Sequence, residues 1–123
     1  MDGMGSGVQQ GTMIATGTID PASDSLHSNS YGVSGLTTTT PATEWLVGLS
    51  EIAGVPIDAR QVLASVQQQD ATTPAIFARA SCFRVGDPVN SIRIQVVDAA
   101  GAPVAAPGGT RIAFSVWRAT VAQ

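Results

Sequence analysis

The chain has 123 residues, 44% of them hydrophobic and only 12% charged, with a formal net charge of −3. That length fits one domain with one moderate core, and six scattered arginines without a single lysine leave no clustered basic face for nucleic acid. An ordinary soluble domain carries about 25% charge, so a surface this poor in charge suits a protein that buries much of itself against other chains.

Residues 1–11 are rich in Gly, Gln and Met and carry no periodic pattern. They read as an extended N-terminal arm. One domain follows over residues 12–123. Residues 12–19 are rich in β-formers and predict a first strand, which Asp20-Pro21 breaks. A polar loop runs over 22–29. Residues 30–36 alternate weakly, and their glycines suggest a bulge or a close backbone approach. Residues 37–43 are a threonine run interrupted by Pro41, either turn or edge strand.

Residues 44–49 predict a strand with Trp45, Val47 and Leu49 on one face. A loop around Gly54-Val55-Pro56 comes next. Residues 61–68 fit strand better than helix, because Val62, Ala64 and Val66 alternate and the flanking segments are β. Residues 75–85 are almost continuously apolar, the pattern of a central strand covered on both faces. Ile92, Ile94 and Val96 alternate with Arg93 and Gln95 in a strand over 90–97. Asp98-Ala99-Ala100-Gly101 is a hairpin-type turn, since Asp bonds the following amides and Gly accepts positive φ. In the last long strand, 109–119, Ile112, Phe114 and Val116 alternate with Arg111, Ala113 and Ser115. About seven strands at short spacing, with turn signals between them, predict an all-β protein, an antiparallel β-sandwich or jelly roll.

Catalytic vocabulary is sparse. Cys82 is the only cysteine and stands in an apolar run, so it reads as a small buried hydrophobe. The one histidine, His27, lies far from it in sequence, which argues against a Cys/His nucleophile pair. Glu44 and Glu51 are the only glutamates, and nothing in the chain brings them to face each other across a cleft. The aspartates form no calcium loop, and one His with one Cys makes no zinc set. The glycines of 3–7 follow no strand and open no helix, so they are no phosphate loop. No cofactor, metal or enzymatic activity is expected. The N-terminus lacks an export signal, and no apolar stretch approaches the roughly 20 residues that span a bilayer.

Trp45, Phe77, Phe83 and Phe114 read as core. Trp117 is out of phase with Phe114 and Val116, so it points out of its sheet. With Arg118 beside it and Tyr31 elsewhere on the surface, it suits a subunit interface, ordinary packing in a second core or a sugar platform.

The stretches 30–36, 44–49 and 109–118 resemble small β-domains of tailed-phage virion proteins, in which a Gly-Val strand leads to an aromatic-centred strand and the domain ends in a Phe-x-Val strand. The resemblance covers residues 30–118. It implies a homotrimeric β-sandwich made in the host cytoplasm and carried on the virion as a head decoration (cement) protein, a head fibre or a tail-fibre tip. The His-x-His metal motif of some fibre tips is absent, and the chain is too short for a fibre shaft, which favours decoration. On that reading the arm docks on the major capsid protein or another virion protein through Met4, Val8, Gln9, Gln10 and Met13. The alternative is a receptor- or glycan-binding tip that uses Tyr31, Trp117 and the loop 23–29.

Overall fold

A computed structural model describes residues 10–50, 60–68, 74–81 and 90–120. These form eight strands: β1 (Gln10–Asp20), β2 (Ser25–Leu26), β3 (Val33–Thr40), β4 (Glu44–Leu49), β5 (Arg60–Gln68), β6 (Ile76–Ser81), β7 (Ser91–Asp98) and β8 (Arg111–Thr120). They make two antiparallel four-stranded sheets, sheet A in the order β2-β1-β8-β5 and sheet B in the order β3-β4-β7-β6. No described residue is helical, and no helix is long and apolar enough to cross a membrane. The fold is the expected β-sandwich.

Period-two patterning sets the two inner faces. Sheet B contributes Trp45, Val47, Leu49, Ile92, Ile94 and Val96; sheet A contributes Ala15, Ile19, Ile112, Phe114 and Val116. All eleven are essentially buried, and each large one adds about 1.5–3 kcal/mol by leaving water. The pairing Gly17↔Phe114↔Ala64 uses small neighbours to seat a ring. A Cβ on Gly17 would lie 2.8 Å from the Phe114 ring.

Three local devices join the sheets. Asp24, at φ 50°, closes the turn after β1. Its Oδ1 accepts the Trp45 indole N–H at 2.8 Å and the Ala42 amide at 2.8 Å, tying that turn to the β3–β4 connection. Tyr31 bridges to Thr16 as the chain leaves sheet A, with backbone bonds of 2.8 and 2.9 Å. Gly32 then passes at φ 72° against the β1 bulge at Ile14, where a Cβ would sit 2.0 Å from the Ile14 carbonyl oxygen. At the other end Asp98 Oδ1 accepts from the amides of Ala100 and Ala102, each at 2.9 Å, and Gly101 takes φ 86°. The turn predicted there is present. It sends Pro103 back along β7 as a single bridge, and a longer excursion precedes β8.

Three expectations change. The first strand begins at Gln10, so Gln10 and Gly11 belong to β1, paired with Thr120 and Ala119, and not to an arm. The strand within residues 75–85 is no central strand. β6 is an edge of sheet B, only its Ile76 face is covered, and Phe77 is 52% exposed instead of core. Its alternation of Ile76, Ala78 and Ala80 with Phe77, Arg79 and Ser81 is masked in composition by the alanines. The loop 22–29 contains a two-residue strand, β2. The threonine run resolves as an edge strand, β3. Cys82, Phe83 and Glu51 lie outside the described residues.

Candidate functional site

The outer faces of the two sheets differ in chemistry. On sheet B, Glu44 sits under a polar network. Its carboxylate accepts from Arg93, from Gln95 Nε2 at 2.7 Å and from Thr39 Oγ1 at 2.9 Å. Arg79 donates to Gln95 Oε1 at the β6 edge. The charges of this face are paired among themselves, with the Glu44 and Arg93 side chains only 12% and 14% exposed, and the half-exposed Phe77 stands at its β6 edge.

Among its described side chains sheet A shows one ion pair, Asp20–Arg111, in place of such a network. Register places its outward residues in cross-strand rows. One row is Tyr31–Thr16–Ser115–Leu63. On one side of it lies Met13–Trp117–Gln61, and on the other Thr18–Ala113–Ser65. Hydroxyls and methyls therefore floor a shallow trough of about 450 Å³ lined by Thr16, Leu63, Ser65, Ala113 and Ser115. Large side chains stand around it: Leu63 is 63% exposed, Tyr31 62% and Met13 39%. The Trp117 indole N–H donates to Ser115 Oγ at 3.0 Å, so the ring leans along β8 over the trough. The Asp20–Arg111 pair, 3.4 Å apart, closes one end. Between that pair and the row of Trp117, no described outward side chain is charged.

Three residues singled out in the sequence thus share one face. Tyr31, read as lying elsewhere on the surface, joins Met13 and Trp117 because the Thr16–Tyr31 bridge adds it to the sheet. Arg118 is paired through its backbone with Thr12 and Arg60; its side chain and that of Gln10 lie outside the described residues, as do Met4, Val8 and Gln9 altogether. Leu63 went unrecognised as a surface residue, although its position out of phase with Val62, Ala64 and Val66 marks it as outward.

The remaining chemistry is slight. His27 has its Nε2 buried without a hydrogen-bond partner. Among the described residues no group of three or more His, Cys, Asp or Glu is placed to hold a metal ion. Neither a protein-family model, a curated protein nor a solved structure matches the chain.

Proposed function

We propose that the chain is a non-enzymatic assembly protein that works through the uncharged outer face of sheet A. Its specific setting, on this reading, is a phage virion, where three copies associate and sit on the major capsid protein or another virion protein as a decoration. The observation that carries the reading is the contrast between the two outer faces. A sheet face left in water ordinarily alternates polar and charged residues outward. Sheet B follows that pattern apart from the half-exposed Phe77 at its β6 edge; sheet A offers a flat floor of small side chains with Met13, Tyr31, Leu63 and Trp117 standing on it. Covering the part of each large side chain that is still exposed yields about 0.5–2 kcal/mol before the cost of association. The stabilisation of a shell is then additive, as each copy covers joints between capsid subunits. Met4, Val8 and Gln9 reach the shell from ahead of β1, while Gln10 and Met13 act from within the strand.

The test is co-sedimentation of the full chain with capsid shells assembled without it. Binding is expected for the wild type. Deletion of residues 1–9 should abolish it, and Leu63→Glu or Trp117→Ala should weaken it at least tenfold with an unchanged circular-dichroism spectrum. Full occupancy by all three variants, or no binding by the wild type, refutes the proposal.

One observation favours a second reading, a glycan platform. Tyr31 and Trp117 share a face, with attachment points about 12 Å apart from strand spacing and rise. Glycan-array binding that disappears in Trp117→Ala, without shell binding, selects that reading.

A further inference from the structure

We infer that β5 is a self-pairing edge: two copies join antiparallel through β5 about a twofold axis at Ala64, merging their four-stranded A sheets into one continuous sheet. This concerns an edge of the sandwich and stands apart from the docking of its face.

Free sheet edges invite strand addition, and folded proteins guard them with short strands, bulges, charges or prolines. Three of the four edges here are guarded. β2 has only two residues. β3 has register shifts near both of its ends. β6 has six residues, with Arg79 in its middle and Pro74 shortly before it. β5 is different. It runs for nine residues at the edge of sheet A, and from Gln61 to Gln67 it has no charge, proline or glycine. Its one register shift falls at the far end, between Val66 and Gln68.

The sequence of this edge fits itself. Gln61-Val62-Leu63-Ala64-Ser65-Val66-Gln67 is palindromic in chemistry except at Leu63 and Ser65. Antiparallel pairing about Ala64 sets Gln61 opposite Gln67, Val62 opposite Val66 and Leu63 opposite Ser65 of the second copy. Both faces then match. The inward residues Val62, Ala64 and Val66 are only half-buried in one chain, and they meet the same three in the second copy. The outward glutamines meet glutamines, whose amides donate and accept. A contact of this kind is isologous, so each half is satisfied by the same operation. Among the described residues the side of the sandwich it covers is open: a cleft of about 390 Å³ lies between β5 and β6, lined by Ala64, Val66, Gln67, Ile76 and Phe77, with Phe77 half-exposed. No other occupant is so well specified, because a foreign strand has no reason to repeat this palindrome.

Two measurements on the full chain test the inference. The first is mass in solution by light scattering across concentration. An even number of 12.5 kDa copies is expected, six where the three-copy association proposed above forms as well. Gln61→Lys with Gln67→Lys places like charges opposite each other twice and should raise the dissociation constant about tenfold. Gln61→Glu with Gln67→Lys places opposite charges there and should restore association, which separates loss of pairing from loss of folding. The second is cross-linking of Ala64→Cys in a Cys82→Ser background. Residues opposed on antiparallel strands have Cα atoms about 4.5–5.5 Å apart, within the reach of a disulfide, so mild oxidation should trap a covalent dimer. A monomer or an odd-numbered wild-type assembly, absence of the cross-link, or a mass indifferent to the charge pairs would overturn it. A trimer that responds to Trp117→Ala but not to the charge pairs would sink the edge contact and leave the face reading intact.

Discussion

Replacing Asp24 with alanine removes one carboxylate oxygen that serves two donors at once, the Trp45 indole and the Ala42 amide, both at 2.8 Å. Trp45 is fully buried, so its N–H has no water to turn to. An enclosed donor left without a partner costs about 1–3 kcal/mol. The Ala42 amide is closer to solvent and adds about 1 kcal/mol. Alanine also tolerates positive φ less well than aspartate, and residue 24 sits at φ 50°, worth about 0.5–1 kcal/mol. The sum is about 2.5–5 kcal/mol, a large share of the ~5–15 kcal/mol that holds a domain of this kind together. In urea unfolding followed by tryptophan fluorescence and circular dichroism, Asp24→Ala should lower the midpoint by about 2 M at a slope of roughly 1.5–2 kcal/mol per M. Asp24→Asn keeps an oxygen and tolerates the backbone conformation, so it should lose no more than about 1 kcal/mol. An alanine variant within 1 kcal/mol of wild type, or an asparagine variant just as damaged, refutes the reasoning that this oxygen clamps the two sheets.

Other expectations follow from the same packing. Gly32→Ala drives a Cβ onto the Ile14 carbonyl at a positive φ, and the soluble folded fraction should fall sharply, by more than about 3 kcal/mol in chemical unfolding; a variant of wild-type stability would mean that the β1 bulge shifts freely. Phe77→Ser should change stability by less than about 1 kcal/mol because the ring is half in water, whereas Phe114→Ala should cost about 3–5 kcal/mol. Equal losses from the two phenylalanines would restore Phe77 to the core.

Strands whose two faces differ strongly were legible from residue order. β4, β7 and β8 carry bulky aliphatics and aromatics on one phase and a phase containing Glu44, Arg93, Gln95, Arg111 and Ser115 on the other, and their core residues are those expected. β6 misled because alanines occupy both the description "apolar" and the half-buried inner phase of an edge. Whether a strand is central or marginal depends on its neighbours, and local composition says little of that. The candidate face was legible one residue at a time: Trp117 was recognised as outward, Tyr31 as exposed and Met13 as a docking residue. Their convergence required the register of β1 against β8 and the lone Thr16–Tyr31 bridge, pairings between distant parts of the chain. The Asp24–Trp45 clamp left no local signal, because an aspartate in a turn is ordinarily explained by the turn.

Sheet order also dictates a timetable for synthesis. The strands of sheet B are all made once the ribosome has passed Asp98, whereas sheet A has no centre until β8 emerges to fit between β1 and β5. Through most of translation β1 has only the two residues of β2 and the bridge at Tyr31 to pair with. Closing a sheet by its most distant strands is slow, on the order of milliseconds to seconds for β-sandwiches. The nascent chain therefore spends that interval with Ala15 and Ile19 waiting for Ile112, Phe114 and Val116 to complete their half of the core.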